Sequence, residues 1–341
     1  MTAATPFSIL DLAPIRAGDS ARDALLQTVD MARSAEKLGF ARFWLPEHHG
    51  VRAFASAATP VLIAHIAAQT ATIRIGAGGV MLPNHTPLAV AEQFGTLESL
   101  HPGRIDLGVG RASGCDNDEV ALALGSTPQT RERFPDDLRA LLSFFRATPP
   151  EQKVHAIPGA GLDVPVWVLA SSTYSAEQAA QLGLPLAFAS HIGAAVRDAA
   201  IAAYRSGFQP SAVLAQPRVM IATFVTAADT DAQAQRLFTS TQQMTLSRLR
   251  GMLQLQLPEP VADFDALANP EERQRVDGAM RAALTGSAAS LETQLIELLE
   301  QTHADEIMAL SFIHDLEARQ RSLEIIAQVR DRVHARQRAM V

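Results

Sequence analysis

The chain of 341 residues contains one cysteine, few aromatic residues and no block of basic residues. A single cysteine excludes an intramolecular disulfide and any metal site built from several cysteines. The formal net charge is −7, whereas a surface that binds nucleic acid requires clustered cations to neutralise the phosphates. The apolar runs are too short to span a bilayer, and the first residues do not resemble a signal peptide. We therefore expect a soluble cytoplasmic protein that binds neither nucleic acid nor a membrane.

The chain does contain a regular alternation of apolar and helical segments. Near-continuous apolar runs are typical of buried parallel strands, and each is followed by a segment with helical spacing. The pattern predicts strands at 7–12, 40–45, 73–82, 104–109, 164–170, 186–190, 218–226 and 305–312. Eight strand–helix units predict a (β/α)8 TIM barrel, a single domain over 1–341 with insertions at about 112–160 and 229–303, after strands four and seven. A doubly wound open sheet is the alternative, but the number of units and the lack of a linker favour the barrel.

The second predicted strand ends in the segment Trp44-Leu-Pro-Glu-His-His-Gly50. Ligands bind at the carboxyl ends of barrel strands, so Glu47, His48 and His49 are candidate functional residues, although a polar strand terminus would look the same. Adjacent side chains in an extended segment point in opposite directions, so the two histidines are unsuited to sharing a metal. We expect no metal site. The sequence also lacks the Gly-x-Ser-x-Gly elbow of a serine hydrolase.

Three further segments at predicted strand ends have features of a ligand site. Gly76-Ala-Gly-Gly79 offers bare backbone to a flat ligand, or makes a tight bend. Arg111 lies among glycines after strand four, where its planar guanidinium suits a phosphate or a carboxylate, unless it pairs with Asp116, Asp118 or Glu119. Ser171, Ser172 and Ser175 precede or begin a helix, where hydroxyls and free N–H groups bind anions or cap the helix.

Taken together, the chain resembles the bacterial-luciferase-like family of flavin-dependent monooxygenases, in its single-chain, non-luminescent form. The resemblance extends over nearly the whole chain. It depends on four segments: Trp44 to Gly50, Arg74 to His85, His101 to Arg111, and Ser175 to Pro185.

The resemblance implies a TIM barrel that binds FMN at the carboxyl ends of its strands. It implies a non-prolyl cis peptide at Gly78–Gly79, beneath the flavin ring and next to Val80. The implied phosphate ligands are Arg111, Ser172 and Ser175, and Ser171 is a further implied cofactor-binding residue. His48 is the implied catalytic residue, with Glu47 orienting it or lining the pocket. The residues expected to line the substrate pocket are Asp11, Trp44 and Ser113.

The implied reaction is a monooxygenation of a small organic substrate by reduced FMN and O2, through a C4a-peroxyflavin. A separate NAD(P)H:flavin reductase would supply the reduced FMN, and the protein would be a homodimer. Ser171 and Gly110 replace a glutamate and a reactive cysteine of the light-emitting members, so light emission is not expected. Two alternatives remain: hydride transfer with the deazaflavin F420 on the same fold, and a flavin-binding module without turnover.

Overall fold

The computed structural model of the protein describes residues 4–115, 117–147, 151–252 and 255–339. Its strands are β1 (Phe7–Leu10), β2 (Arg42–Leu45), β3 (Arg74–Met81), β4 (Ile105–Gly110), β5 (Val166–Ala170), β6 (Leu186–Ala189), β7 (Val219–Ala227), β8 (Leu284–Gly286) and β9 (Glu306–Leu310). Its helices are α1 (Ala21–Lys37), α2 (Thr59–Ala67), α3 (Pro87–Leu100), α4 (Asp118–Ala123), α5 (Pro128–Glu132), α6 (Phe134–Phe144), α7 (Thr173–Gln181), α8 (Ser190–Gly193), α9 (Arg197–Gly207), α10 (Asp231–Leu249), α11 (Pro270–Met280), α12 (Ala288–Thr302) and α13 (Leu316–Ala339).

Eight parallel strands form a closed barrel with helices around it. Each of β1 to β6 pairs with the strand that follows it in the chain. β9 pairs with both β7 and β1 and so closes the barrel. The predicted (β/α)8 barrel is confirmed. The short strand β8 extends the carboxyl half of β7 beyond the barrel. The sequence did not predict β8, because a run of three residues has no recognisable period.

The barrel interior has a charged layer at the amino ends of the strands and an aromatic layer above it. Arg42 bridges two buried carboxylates, at 2.6 Å from Asp106 and 2.8 Å from Glu306. Above them Trp44 and Trp167 pack edge to face, with ring centroids 5.7 Å apart. Because packed side chains fill the interior here, we expect a ligand site at the opposite, carboxyl end of the strands.

The insertion after β7 closes over that carboxyl end. Its proline-rich stretch Leu257-Pro-Glu-Pro260 reads in the sequence as an exposed loop. It is a loop with Glu259 exposed, but the expectation was wrong for Leu257, which is 1% exposed. The Leu257 N–H donates to Ile15 O, and Leu257 O accepts from the Ala17 N–H, both at 2.9 Å. The Ile15 N–H in turn donates to Ala53 O at 2.7 Å. We call segments 13–17, 53–55 and 257 the loop ladder.

None of the helices in the described part of the chain is long and apolar enough to cross a bilayer.

Candidate active site

Glu47, two residues past the end of β2, is the centre of a buried hydrogen-bond cluster. The residue is 1% exposed. Its carboxylate accepts bonds from His49 Nε2 at 2.8 Å, Asn84 Nδ2 at 2.9 Å and His85 Nε2 at 3.0 Å. It also accepts the Met81 backbone N–H at 3.0 Å. The cluster therefore fixes the end of β3 against the end of β2.

The environment of Glu47 favours its charged form. Burial on its own raises the pKa of a carboxyl group, because the charge is removed from water. The hydrogen bonds from His49 and His85, the charge of His85 and the bond from Asn84 outweigh burial and lower the pKa of Glu47 to about 2. Glu47 is thus a permanent carboxylate at neutral pH and is unsuited to general acid catalysis.

The two adjacent histidines have different environments. His49 belongs to the Glu47 cluster, whereas the His48 ring lies outside it, against the Phe54 ring at a centroid distance of 5.3 Å. The His48 Nδ1 lies 3.2 Å from the backbone carbonyl of Glu47, and the expectation that Glu47 orients His48 or lines the pocket stays a prediction. His48 is partly exposed and stays the candidate acid or base.

The glycines of β3 and β4 allow the two strands to approach closely. The structure has a cis peptide at Gly78–Gly79, as the resemblance implies, and the register between β3 and β4 shifts between Gly78 and Val80. A Cβ on Gly79 would lie 2.6 Å from Gly108 O, and one on Gly108 would lie 2.3 Å from Ala77 O. No side chain fits at either position without a shift of the backbone.

Arg111 follows β4 and lies beside the start of α7. Its guanidinium carbon is 4.5 Å from the centroid of the Tyr174 ring, in the first turn of that helix. Among the described residues no carboxylate pairs with Arg111; Asp116, one of the alternative partners, lies outside them. The guanidinium and the positive end of a nine-residue helix therefore lie together.

The serines at this position are divided between the loop and the helix. Ser172 is the N-cap of α7 but its side chain makes no capping hydrogen bond, and Ser171 precedes it. Ser175 lies within the first turn and is 6% exposed. A phosphate group fits this donor set, because the Ser172 hydroxyl and the Arg111 guanidinium are not committed to capping or to an ion pair.

The residues expected to line the substrate pocket need correction. Trp44 is completely buried, and its indole Nε1 donates to Asp106 Oδ2 at 3.1 Å. Asp11 is 1% exposed and accepts from Arg319 Nη2 at 2.6 Å. Both support the barrel from beneath the site. Ser113 is 8% exposed, and its carbonyl accepts from Asn84 Nδ2, so it buttresses the Glu47 cluster.

A series of aromatic rings borders the other half of the barrel mouth. From His48, successive centroid distances are 5.3 Å to Phe54, 5.4 Å to Phe312, 5.3 Å to Phe224 and 5.6 Å to His191. We call these five residues the ring arc. Phe224 and Phe312 also belong to the apolar cluster that includes Leu257 and Phe238 of the insertion. The arc runs from the loop after β2 to the end of β6, and we call the side of the mouth that it borders the apolar half.

Sequence reasoning missed four residues of the site. These residues are His85, Asn84, Tyr174 and His191. His85 and Asn84 end a segment that contributed to the family resemblance, so that segment was the available signal for them. Tyr174 lies inside the serine-rich segment, while His191 had no signal beyond its place directly after a predicted strand. In the described part of the chain, no group of three His, Cys, Asp or Glu side chains is arranged to hold a metal ion.

Comparison with known proteins gives matches over almost the full length. A family model described as luciferase-like monooxygenase matches residues 5–338. A luciferase-like monooxygenase of Escherichia coli K12 is 46% identical over 325 residues, which are 95% of this chain and 97% of the relative. The Bacillus subtilis protein YvbT is 44% identical over 326 residues, 95% and 96% of the two chains. The crystal structure of apo-MsnO8 is 31% identical, with a TM-score of 0.85 over 96% of this chain and 98% of that one.

Proposed function

The chain belongs to the luciferase-like monooxygenase family, and from this premise we propose that it is an FMN-dependent monooxygenase of a small organic substrate. A separate NAD(P)H:flavin reductase supplies the cofactor in its reduced form. Reduced FMN, when bound, activates O2 so that one oxygen atom is inserted into the substrate.

The observation that carries the proposal is the position of Arg111 beside the first turn of α7. Helix N–H groups, the Ser172 hydroxyl and a guanidinium are together the donors that a phosphate monoester requires. The bare backbone at Gly78–Gly79 lies further along the barrel mouth, and Leu169 of β5 lies between it and Arg111. Leu169 Cδ1 is 2.6 Å from the position that a Cβ on Gly79 would occupy. In this proposal Arg111, Ser171 and Ser172 bind the phosphate of FMN, Ser175 supports them from the first turn, and Gly78 to Val80 lie against the flavin ring.

The remaining residues position groups and exclude water. The Glu47 cluster keeps the end of β3 in place, and the loop ladder covers the apolar half of the mouth. Exclusion of water strengthens each electrostatic interaction within a site and suppresses side reactions. His48 holds or moves a proton at its imidazole, the side-chain group best suited to acid–base chemistry near neutral pH.

Names of related proteins support a flavin but differ on which one. A Bacillus subtilis relative, 38% identical over 53% of this chain, is named N-acetyl-S-alkylcysteine monooxygenase. A 19% identical structure from Pseudomonas putida is a Baeyer-Villiger monooxygenase in complex with FMN, whereas a 15% identical one is an F420-dependent secondary alcohol dehydrogenase. At such identities the likeness extends to the fold alone, so the cofactor must be tested directly.

The test is a titration of the purified protein with FMN, reduced FMN and F420, followed by absorbance and fluorescence. We expect saturable binding of FMN in both redox states and weaker binding of F420. A flavin reductase with NADH is then added, and oxygen uptake is measured with a panel of organic substrates. Preferential binding of F420 would contradict the proposal. Binding of FMN with no substrate oxidised would support the flavin-binding module instead.

A further inference from the structure

His191 occupies a position in the mouth that the proposed flavin site does not use. It lies two residues past the end of β6, at the far end of the ring arc from His48. The His191 ring packs edge to face on Phe224 and is partly exposed. It lies close enough to His48 for the charge of that ring to lower the pKa of His191. The two imidazoles therefore face the same part of the mouth.

The tautomer of His191 is fixed by the backbone. Its Nδ1 lies 3.2 Å from Ala222 O. A carbonyl oxygen only accepts hydrogen bonds, so Nδ1 carries the proton and Nε2 of the neutral ring is an acceptor. No described residue forms a hydrogen bond with Nε2. The atom is also absent from the set of fully buried, unpaired polar atoms, so it is not sealed from the mouth. A ligand in the mouth can therefore reach Nε2 as a hydrogen-bond acceptor.

The surroundings keep the ring neutral. Burial and, to a smaller extent, the charge of His48 lower the pKa of His191 to about 4, against the opposing effect of the bond to Ala222 O. The ring neighbour of His191 in the arc is Phe224, which packs in turn on Phe312, and both phenyl groups offer edges and faces to another ring but no charge to an ionic group.

We propose that His191 determines substrate specificity, by accepting a hydrogen bond at Nε2 from the hydroxyl group of an uncharged, ring-bearing substrate that packs against the ring arc. This inference rests on the proposed function and names its substrate class. The hydroxyl is the donor that Nε2 requires, and a bound analogue without a hydroxyl would cover the acceptor and leave it unpaired. A carboxylate-bearing substrate is disfavoured, since two acceptors would face each other.

The test uses the FMN-loaded protein and three probes of one size class: 2-naphthol, 2-methoxynaphthalene and 2-naphthoate. Dissociation constants are measured from the change in flavin absorbance at saturating FMN. We expect 2-naphthol to bind about tenfold more tightly than its methyl ether, the scale of one neutral hydrogen bond, and naphthoate to bind most weakly. In His191→Phe the ratio of the two neutral probes should fall to about one, while His191→Gln, which retains an acceptor, should keep part of it.

The matched control is His65→Phe, an exposed histidine of α2 on the outside of the barrel, which should leave the ratio unchanged. Circular dichroism and the FMN dissociation constant show whether each variant is folded; if His191→Phe is not, the ratio in His191→Gln and His191→Leu decides. A tenfold preference that survives the loss of the imidazole, tighter binding of naphthoate, or no binding of either neutral probe would overturn the inference. Failure of the wild-type protein to bind FMN would count against the proposed function. The flavin titration measures this binding independently of the naphthalene probes, so the two failures can be distinguished.

Discussion

The Glu47 cluster makes a quantitative prediction for Glu47→Gln. The pKa of Glu47 falls from 4.5 to about 2 in the folded protein. A shift of about 2.5 units at about 1.36 kcal/mol each corresponds to about 3 kcal/mol of folding free energy at neutral pH. Glutamine is neutral and would direct an amide N–H2 at donors such as His85 Nε2 and the Met81 N–H. We therefore expect the variant to lose about 3 kcal/mol of stability at pH 7.

The sign of the pH dependence follows from the direction of the shift. A depressed carboxyl pKa stabilises the fold above the unfolded-state value and ceases to do so as the pH falls from about 4.5 to about 2. The difference between wild type and Glu47→Gln should therefore narrow by roughly 1.5 kcal/mol between pH 7 and pH 3.5.

The assay is urea unfolding of the flavin-free protein, followed by tryptophan fluorescence. Trp44 and Trp167 are the two tryptophans of the chain, and both are buried inside the barrel. The control is Glu272→Gln. The pKa of Glu272 is also lowered to about 2, mainly by its hydrogen bond with Arg250. Solvent screens that pair, whereas it does not reach the Glu47 carboxylate. We expect a much smaller loss there. Equal losses in the two variants, or a difference for Glu47 that does not narrow in acid, would refute the reasoning.

Three further predictions concern the flavin and its support. Arg111→Ala should raise the FMN dissociation constant by about 10- to 100-fold, the scale of a charge-assisted hydrogen bond, and an unchanged constant by fluorescence titration would mean that the phosphate binds elsewhere. His48→Ala should reduce turnover about a hundredfold or more while FMN binding stays unchanged; full activity in steady-state assays would remove His48 from the mechanism. Gly79→Ala should cost about 1–3 kcal/mol in urea unfolding and lower flavin occupancy, because its Cβ would lie 2.6 Å from Gly108 O. The matched change Gly278→Ala, in α11 with no atom within 4 Å of the new Cβ, should not destabilise the protein.

The sequence was sufficient to predict the barrel fold and to predict that the candidate site lies at the carboxyl ends of the strands. Buried parallel strands are apolar on both faces, so each run was visible without knowledge of its neighbours, and their carboxyl ends necessarily meet at one edge. The resemblance then identified the glycines and Arg111. The structure places these glycines and Arg111 at the same mouth of the barrel. Their roles in binding a flavin stay predictions.

The partners of individual side chains could not be predicted in the same way. Glu47 meets His85, 38 positions later, only because β2 and β3 pair in a particular register. Leu257 was predicted to be exposed because two prolines follow it closely, but its contacts with Ile15 and Ala17 are made by backbone atoms, which no side-chain pattern indicates. His191 was not predicted, because a single histidine after a strand indicates no function by itself. Its environment depends on contacts with Phe224 and Ala222, which the sequence does not show.

The loop ladder has a consequence for how such an enzyme could diversify. Its hydrogen bonds join Leu257 to Ile15 and Ala17, and Ile15 to Ala53, through main-chain atoms alone. Main-chain pairing places no demand on side-chain identity, except that a donor cannot be proline. The partly exposed side chain at 54 can therefore be exchanged for a larger, smaller or more polar one while the roof of the pocket stays attached at the same points, whereas Leu257 is buried and requires an apolar residue of similar size. Closure and selectivity are thus separable at position 54, and a library randomised there would sample new substrates on an intact scaffold.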